Sequence, residues 1–173
     1  MATDALYQAR TEIQAALDAW DFSSCWPVAF TGEKKVITAT GYPNDLISKI
    51  KAETNGMWPR PIIALYNITA PETFRSLGEV GGPGIPAGGL TRYARRVQPH
   101  IAIDCWADLQ NGGEKMVERL AGQVAGCVFV NAHSLATYRY LASETSHLMY
   151  ADAAQAWHIT VTVSGYVLLN YDK

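Results

Sequence analysis

The side chains able to do chemistry in this chain are three cysteines (Cys25, Cys105, Cys127), four histidines (His100, His133, His147, His158) and the carboxylate pair Asp104 and Asp108. Their spacing is uncooperative. No H-E-x-x-H or paired Cys/His spacing marks a metal site, no G-x-S-x-G elbow presents a serine nucleophile, and the cysteines form an odd set without a C-x-x-C pair. Cys105 and Cys127 fall on the apolar sides of their predicted elements, so all three thiols read as reduced core residues. Cys25 follows two serines and could meet a histidine only through the fold. Asp104 and Asp108 fall on one face of a predicted strand, where a carboxylate pair reads as solvated. His100 and His158 read as solvated strand histidines, and Asn67-Ile68-Thr69 matches a glycosylation acceptor by chance. Gly82-Pro83-Gly84-Ile85-Pro86-Ala87 fits G-x-G-x-x-A in letters, but its two prolines remove amide donors that a phosphate cradle needs. The expectation is no catalytic, metal or cofactor site.

The elements that must carry these residues are easier to read. In WHITVTVSGYVLL (157–169) the residues Trp157, Ile159, Val161 and Val163 alternate with His158, Thr160, Thr162 and Ser164, which predicts a strand with one dry face. HIAIDCWAD (100–108) alternates likewise, and RPIIALYNIT (60–69) reads as another strand. Leu6, Ile13, Leu17 and Trp20 recur at helical spacing, giving an opening helix of about four turns capped at Thr3 or Asp4. Helix 113–128 sets Met116, Val117, Leu120, Val124 and Cys127 against Glu114, Lys115, Glu118, Arg119 and Gln123. Gly122 and Gly126, one turn apart, cost helix stability but permit a close backbone approach of this helix to the sheet. WPVAF (26–30) and KKVIT (34–38) predict a short hairpin around Thr31-Gly32-Glu33. Asn44 or Asp45 would cap a short helix through Ile47 and Ile50.

At 173 residues with 49% apolar content, the chain fits one domain, 1–173, with a full core. Its net charge of −2 offers no general attraction to nucleic acid or an anionic membrane, and its start lacks the pattern of a secretory signal. From Gly78 to Gly89, GEVGGPGIPAGG holds six glycines and two prolines in twelve residues, which predicts a mobile surface loop (78–91). Joining 71–77 to 91–108, it makes the tip of a long β-hairpin. Arg92, Tyr93, Arg95 and Arg96 lie beside that loop and Arg75 on the facing arm. This basic patch, with Gly81, Gly82 and Gly84 of the loop and with Trp58 beside Met57, Pro59 and Tyr42, forms the candidate partner-binding set.

Taken in order, the helix, the strand RPIIALYNIT, the loop-tipped pair ending in Trp106-Ala107-Asp108, the helix of the E-x-x-x-x-x-L-A type (Glu114 to Ala121) and the closing strand resemble the tail terminator proteins of tailed bacteriophages. That resemblance implies an α+β fold, a small mainly antiparallel sheet flanked by helices, and a non-enzymatic virion protein. It further implies a ring, expected to be a hexamer, assembled in the host cytoplasm. The ring would cap the head-proximal end of the tail tube, stop its polymerisation and join it to the neck. The implied partners are other copies of the chain, the tail tube protein and a neck or head-closure protein, with genome DNA passing through the lumen and no cofactor. Long insertions at 38–60 and 78–91, and about thirty residues between the second helix and the last strand, depart from the family pattern. Two other readings stay open: another neck or tail-completion protein, and a small α/β enzyme or ligand-binding protein whose site converges from Cys25, His133, His147 and Asp104.

Overall fold

The computed structural model describes residues 2–41, 45, 47–48, 61–68, 76–77 and 92–172. Helix α1 spans Ala2–Asp18 and is followed by a 3₁₀ turn at Ser23–Cys25. The strands are β1 (Ile37–Thr40), β2 (Ile62–Ile68), β3 (Ser76–Leu77), β4 (Arg92–Val97) and β5 (His100–Asp108). Helix α2 (Gly113–Asn131) precedes β6 (Tyr138–Thr145), β7 (Met149–Ala151) and β8 (Ala156–Asp172). All eight strands form one sheet, antiparallel except where β1 runs parallel to β2. This is an α+β fold of helices on a mainly antiparallel sheet.

The last strand organises the sheet. β5 pairs β8 from His100↔Ser164 to Asp108↔Ala156, and β4 pairs its remainder from Arg92↔Asp172 to Val97↔Val167. Partner numbers keep one constant sum across Gln98 and Pro99, so β4 and β5 are a single edge of β8 without a slip in register. A proline at that junction removes one ladder donor and divides the strand in two. On the opposite side of β8, β6 and β7 follow one another, with a shift between Arg139 and Ala142 that bends the outer edge. β2 pairs β5 and β3 pairs β4, both antiparallel, and the expected hairpin would have its tip at 78–91. The tip itself lies outside the described residues.

Both helices cover one face. α1 contributes Ala9, Ile13 and Leu17, and α2 contributes Met116, Val117, Leu120 and Val124, to a core completed by Ile63, Leu65, Ile101, Ile103, Cys105, Ile159, Val161 and Val163. These are alternate residues of β2, β5 and β8, and in β5 and β8 they are the ones that the period-2 pattern placed on the dry side. Polar ties fasten the layer: Trp20 Nε1 donates to Gln123 Oε1 at 3.0 Å, and the Thr137 amide donates to Glu12 Oε2 at 3.0 Å. A second, smaller cluster of Ile47, Ile62, Trp106 and Ala156 buries part of the other face. β5 is therefore buried on both sides from Ile101 to Asp108.

Three expectations are corrected. Residues 26–36 form no hairpin; Pro27 begins a turn closed by Phe30 N–H to Pro27 O at 2.9 Å, and the strand starts only at Ile37, pairing in parallel with β2. The stretch between α2 and the last strand, on which no element was expected, contributes β6 and β7. Gly122 and Gly126 do not approach the sheet, because a Cβ at either meets nothing within 4 Å. They cost helix stability without a packing return, so Gly126→Ala is expected to raise stability by about 0.5–1 kcal/mol. A urea midpoint that fell in this variant would contradict the open surroundings of that backbone. Gly112, by contrast, stands at φ 96°, where a Cβ would lie 3.0 Å from Met116 Cβ as the chain turns into α2.

Candidate functional site: a buried polar cluster and two exposed surfaces

The face of the sheet away from the helices carries the chemistry-bearing residues of β2, β5 and β8. Asp104 is 3% exposed, accepts from Tyr66 Oη at 3.2 Å, and stands opposite Thr160 of β8 in the ladder. Trp106 stacks on its cross-strand partner His158 with ring centroids 4.2 Å apart and planes 7° from parallel. Burial pushes the Asp104 carboxyl above the ordinary range, against its hydrogen bonds and the nearby His158, which pull it down. Burial likewise lowers His158, and the charge of Asp104 opposes that shift. Asp104, read from the sequence as solvated, is thus buried, and so is Asp108, whose Oδ1 accepts from the Asn111 amide at 3.0 Å and holds the turn into α2. His158 and His100 are half-buried, each with one ring nitrogen shielded from solvent, and are not the freely solvated histidines expected.

The sign of the pH dependence follows from Asp104. A carboxyl raised in the folded state favours folding most below its unfolded value, near 3.9, and that contribution is lost as pH climbs through the folded value. Asp104→Asn removes this titration. The stability difference between the variant and the parent is therefore expected to move in favour of asparagine between pH 4 and pH 7. Parallel melting-temperature curves for the two proteins over that range would contradict the buried ionisation.

Each cysteine is free and buried. Burial pushes Cys25 and Cys127 up to about 11 and raises Cys105 further, so none holds a nucleophilic thiolate at neutral pH. Nor do Cys25, His133, His147 and Asp104 converge. Cys25 lies in the helix-side core, Asp104 on the opposite sheet face, and His133 and His147 are exposed after α2 and after β6. No group of three or more potential metal ligands occurs among the described residues.

Of the candidate partner-binding set, Arg92, Tyr93, Arg95 and Arg96 lie along β4, whose backbone pairs with β8 on one side and, at Ala94 and Arg95, with β3 on the other. Arg75, Gly81, Gly82, Gly84 and Trp58 lie outside the described residues, as does the capping position Asn44. Two exposed surfaces have no counterpart in the sequence reading. Val28 is fully exposed beside Pro27, Trp26 and α2, bordering an open cavity of about 440 Å³ that Arg119 and Gln123 also line. At the sheet edge Met149, Tyr150 and, past β5, Leu109 are exposed, with Tyr150 packed edge-on against Trp157 at 4.9 Å. Only Pro27 hinted at the first, by breaking a strand that would have hidden its neighbours; the second sits in a stretch without periodicity.

No protein-family model matches the chain, and no curated protein is significantly similar to it. No helix among the described residues is long and apolar enough to cross a membrane.

Proposed function

We propose that this chain is a structural subunit of a phage tail, a tail terminator that closes the head-proximal end of the tail tube as a homo-oligomeric ring and joins it to the neck. The reading rests on element order. A strand ending in Trp106-Ala107-Asp108 runs directly into α2, and β8 closes an antiparallel sheet whose helices share one face. The large apolar side chains exposed at Val28, at Phe129 and Val130, and at Met149 and Tyr150 support it, because apolar groups left in water at several separate places are what a subunit with neighbours presents. The role is non-catalytic: a rigid sheet holds loops and edges toward copies of itself, the tube protein and a neck protein, while DNA crosses the lumen. Native mass spectrometry over a concentration series tests the ring. A closed species, expected at six subunits, supports the proposal, and a monomer at every concentration overturns it.

A further inference from the structure

The cavity of about 440 Å³ lies between residues 24–28 and α2, at the edge of the main core, to which its lining residue Trp26 belongs. Its rim is apolar at Pro27 and Val28 and carries one cation, Arg119. Arg119 Nη1 donates to the Cys25 carbonyl at 3.0 Å, which fixes the guanidinium against the 3₁₀ turn, and the exposed side chain lines the cavity with four further N–H donors. Asp21, the acid that flanks this turn, accepts from the Ser23 amide and hydroxyl at 2.8 and 2.9 Å, so it is committed to its own backbone. Gly122 adds no side chain at the wall, and a Cβ there meets nothing within 4 Å. The site asks for a carboxylate with apolar neighbours.

The chain carries such a feature elsewhere. Met149 and Tyr150 on β7 are 44% and 48% exposed, and the next turn begins with the exposed Asp152. That turn is held by Ala154 N–H to Ala151 O at 3.1 Å and Gln155 N–H to Asp152 O at 3.2 Å, and Tyr150 is fixed by its contact with Trp157. β7 sits at the sheet edge, paired only to β8, whereas the cavity opens on the helix layer. A projecting acid–apolar turn and a receiving cation–apolar groove on different parts of one chain are the halves of a heterologous contact, which closes into a ring when the rotation per subunit permits.

We infer that the β7 turn of one copy, with Met149, Tyr150 and Asp152, docks into the groove of Pro27, Val28 and Arg119 on the next. This deepens the ring reading and depends on it. The contact is directional, so each subunit uses one groove and one turn. Its charge pair sets register, and its apolar flanks supply the burial.

Charge exchange tests it by sedimentation velocity on the purified full-length protein. Arg119→Glu and Asp152→Lys should each weaken self-association at least about tenfold, and the double variant should recover most of that loss, because the pair is rebuilt with signs reversed. Asp152→Lys lies on an exposed turn away from the core, so it reads the contact even if Arg119→Glu disturbs the 3₁₀ turn. Circular dichroism checks that each variant is folded. Rings from the parent protein, with normal rings from Asp152→Lys or no recovery in the double variant, would overturn this contact while leaving the ring standing. A parent that never associates would overturn both.

Discussion

Deleting residues 81–89 is expected to abolish capping of tail tubes while leaving the thermal transition where it was. β3 and β4 pair through Ser76↔Arg95 and Leu77↔Ala94, and after the deletion residues 78–80 and 90–91 still join Leu77 to Arg92. A hairpin connection of that length is common, and shortening a loop changes its closure entropy only slightly. On the proposed role GEVGGPGIPAGG is a docking arm that meets the tube or neck, so its loss is read in capping and not in the core. Thermal melting and an electron-microscopic count of capped tube ends together check this. A shortened protein that caps as well as its parent would end the arm idea without touching the fold.

The largest loss of stability is expected at Leu120→Ala. Leu120 is fully buried on α2, where the helix faces Ile103, Val161 and the rest of the sheet-side core. Removing a leucine from such a site forfeits its transfer free energy and leaves a void that close-packed neighbours fill only in part, a cost of about 2–5 kcal/mol. In a chain of this size each kcal/mol lowers the melting temperature by roughly 2–4 °C. Leu109→Ala, on a side chain 83% exposed, should by contrast change little in the isolated subunit. Comparable urea midpoints for the two variants would mean that α2 does not bear on the sheet as described.

The residues explain which parts of this fold were legible. The strand 100–108 and the helix beginning at 113 match β5 and α2 because the large apolar residues of each recur toward the helix-side core, Ile101, Ile103 and Cys105 at period 2 and Met116, Val117, Leu120 and Val124 at period 3.6. β8 was visible for the same reason at 157–169, although it continues to Asp172. β6 was missed because it is an edge: Ala142, Ser143, Glu144 and Thr145 are all exposed, so no alternation of apolar and polar residues records the strand. The expected hairpin at 26–38 failed where local turn chemistry gave way to a parallel pairing with β2 that no short window contains. The burial of Asp104 was hidden likewise, since its neighbours Tyr66 and Thr160 come from strands 38 and 56 residues away along the chain. An acid on the polar side of a strand reads as solvated until a second layer is known to cover that side. The groove at Arg119 had no linear trace, because residues 24–28 and α2 meet only in the folded core.

The measurement that bears most directly on the proposed role is negative-stain electron microscopy of the protein mixed with its own tail tube protein during tube polymerisation. Tubes of limited length carrying a ring at one end are the expected result. Tubes that grow unchecked, with the protein remaining as single subunits in the background, would contradict a terminator and turn attention to the buried Asp104–His158 face of the sheet.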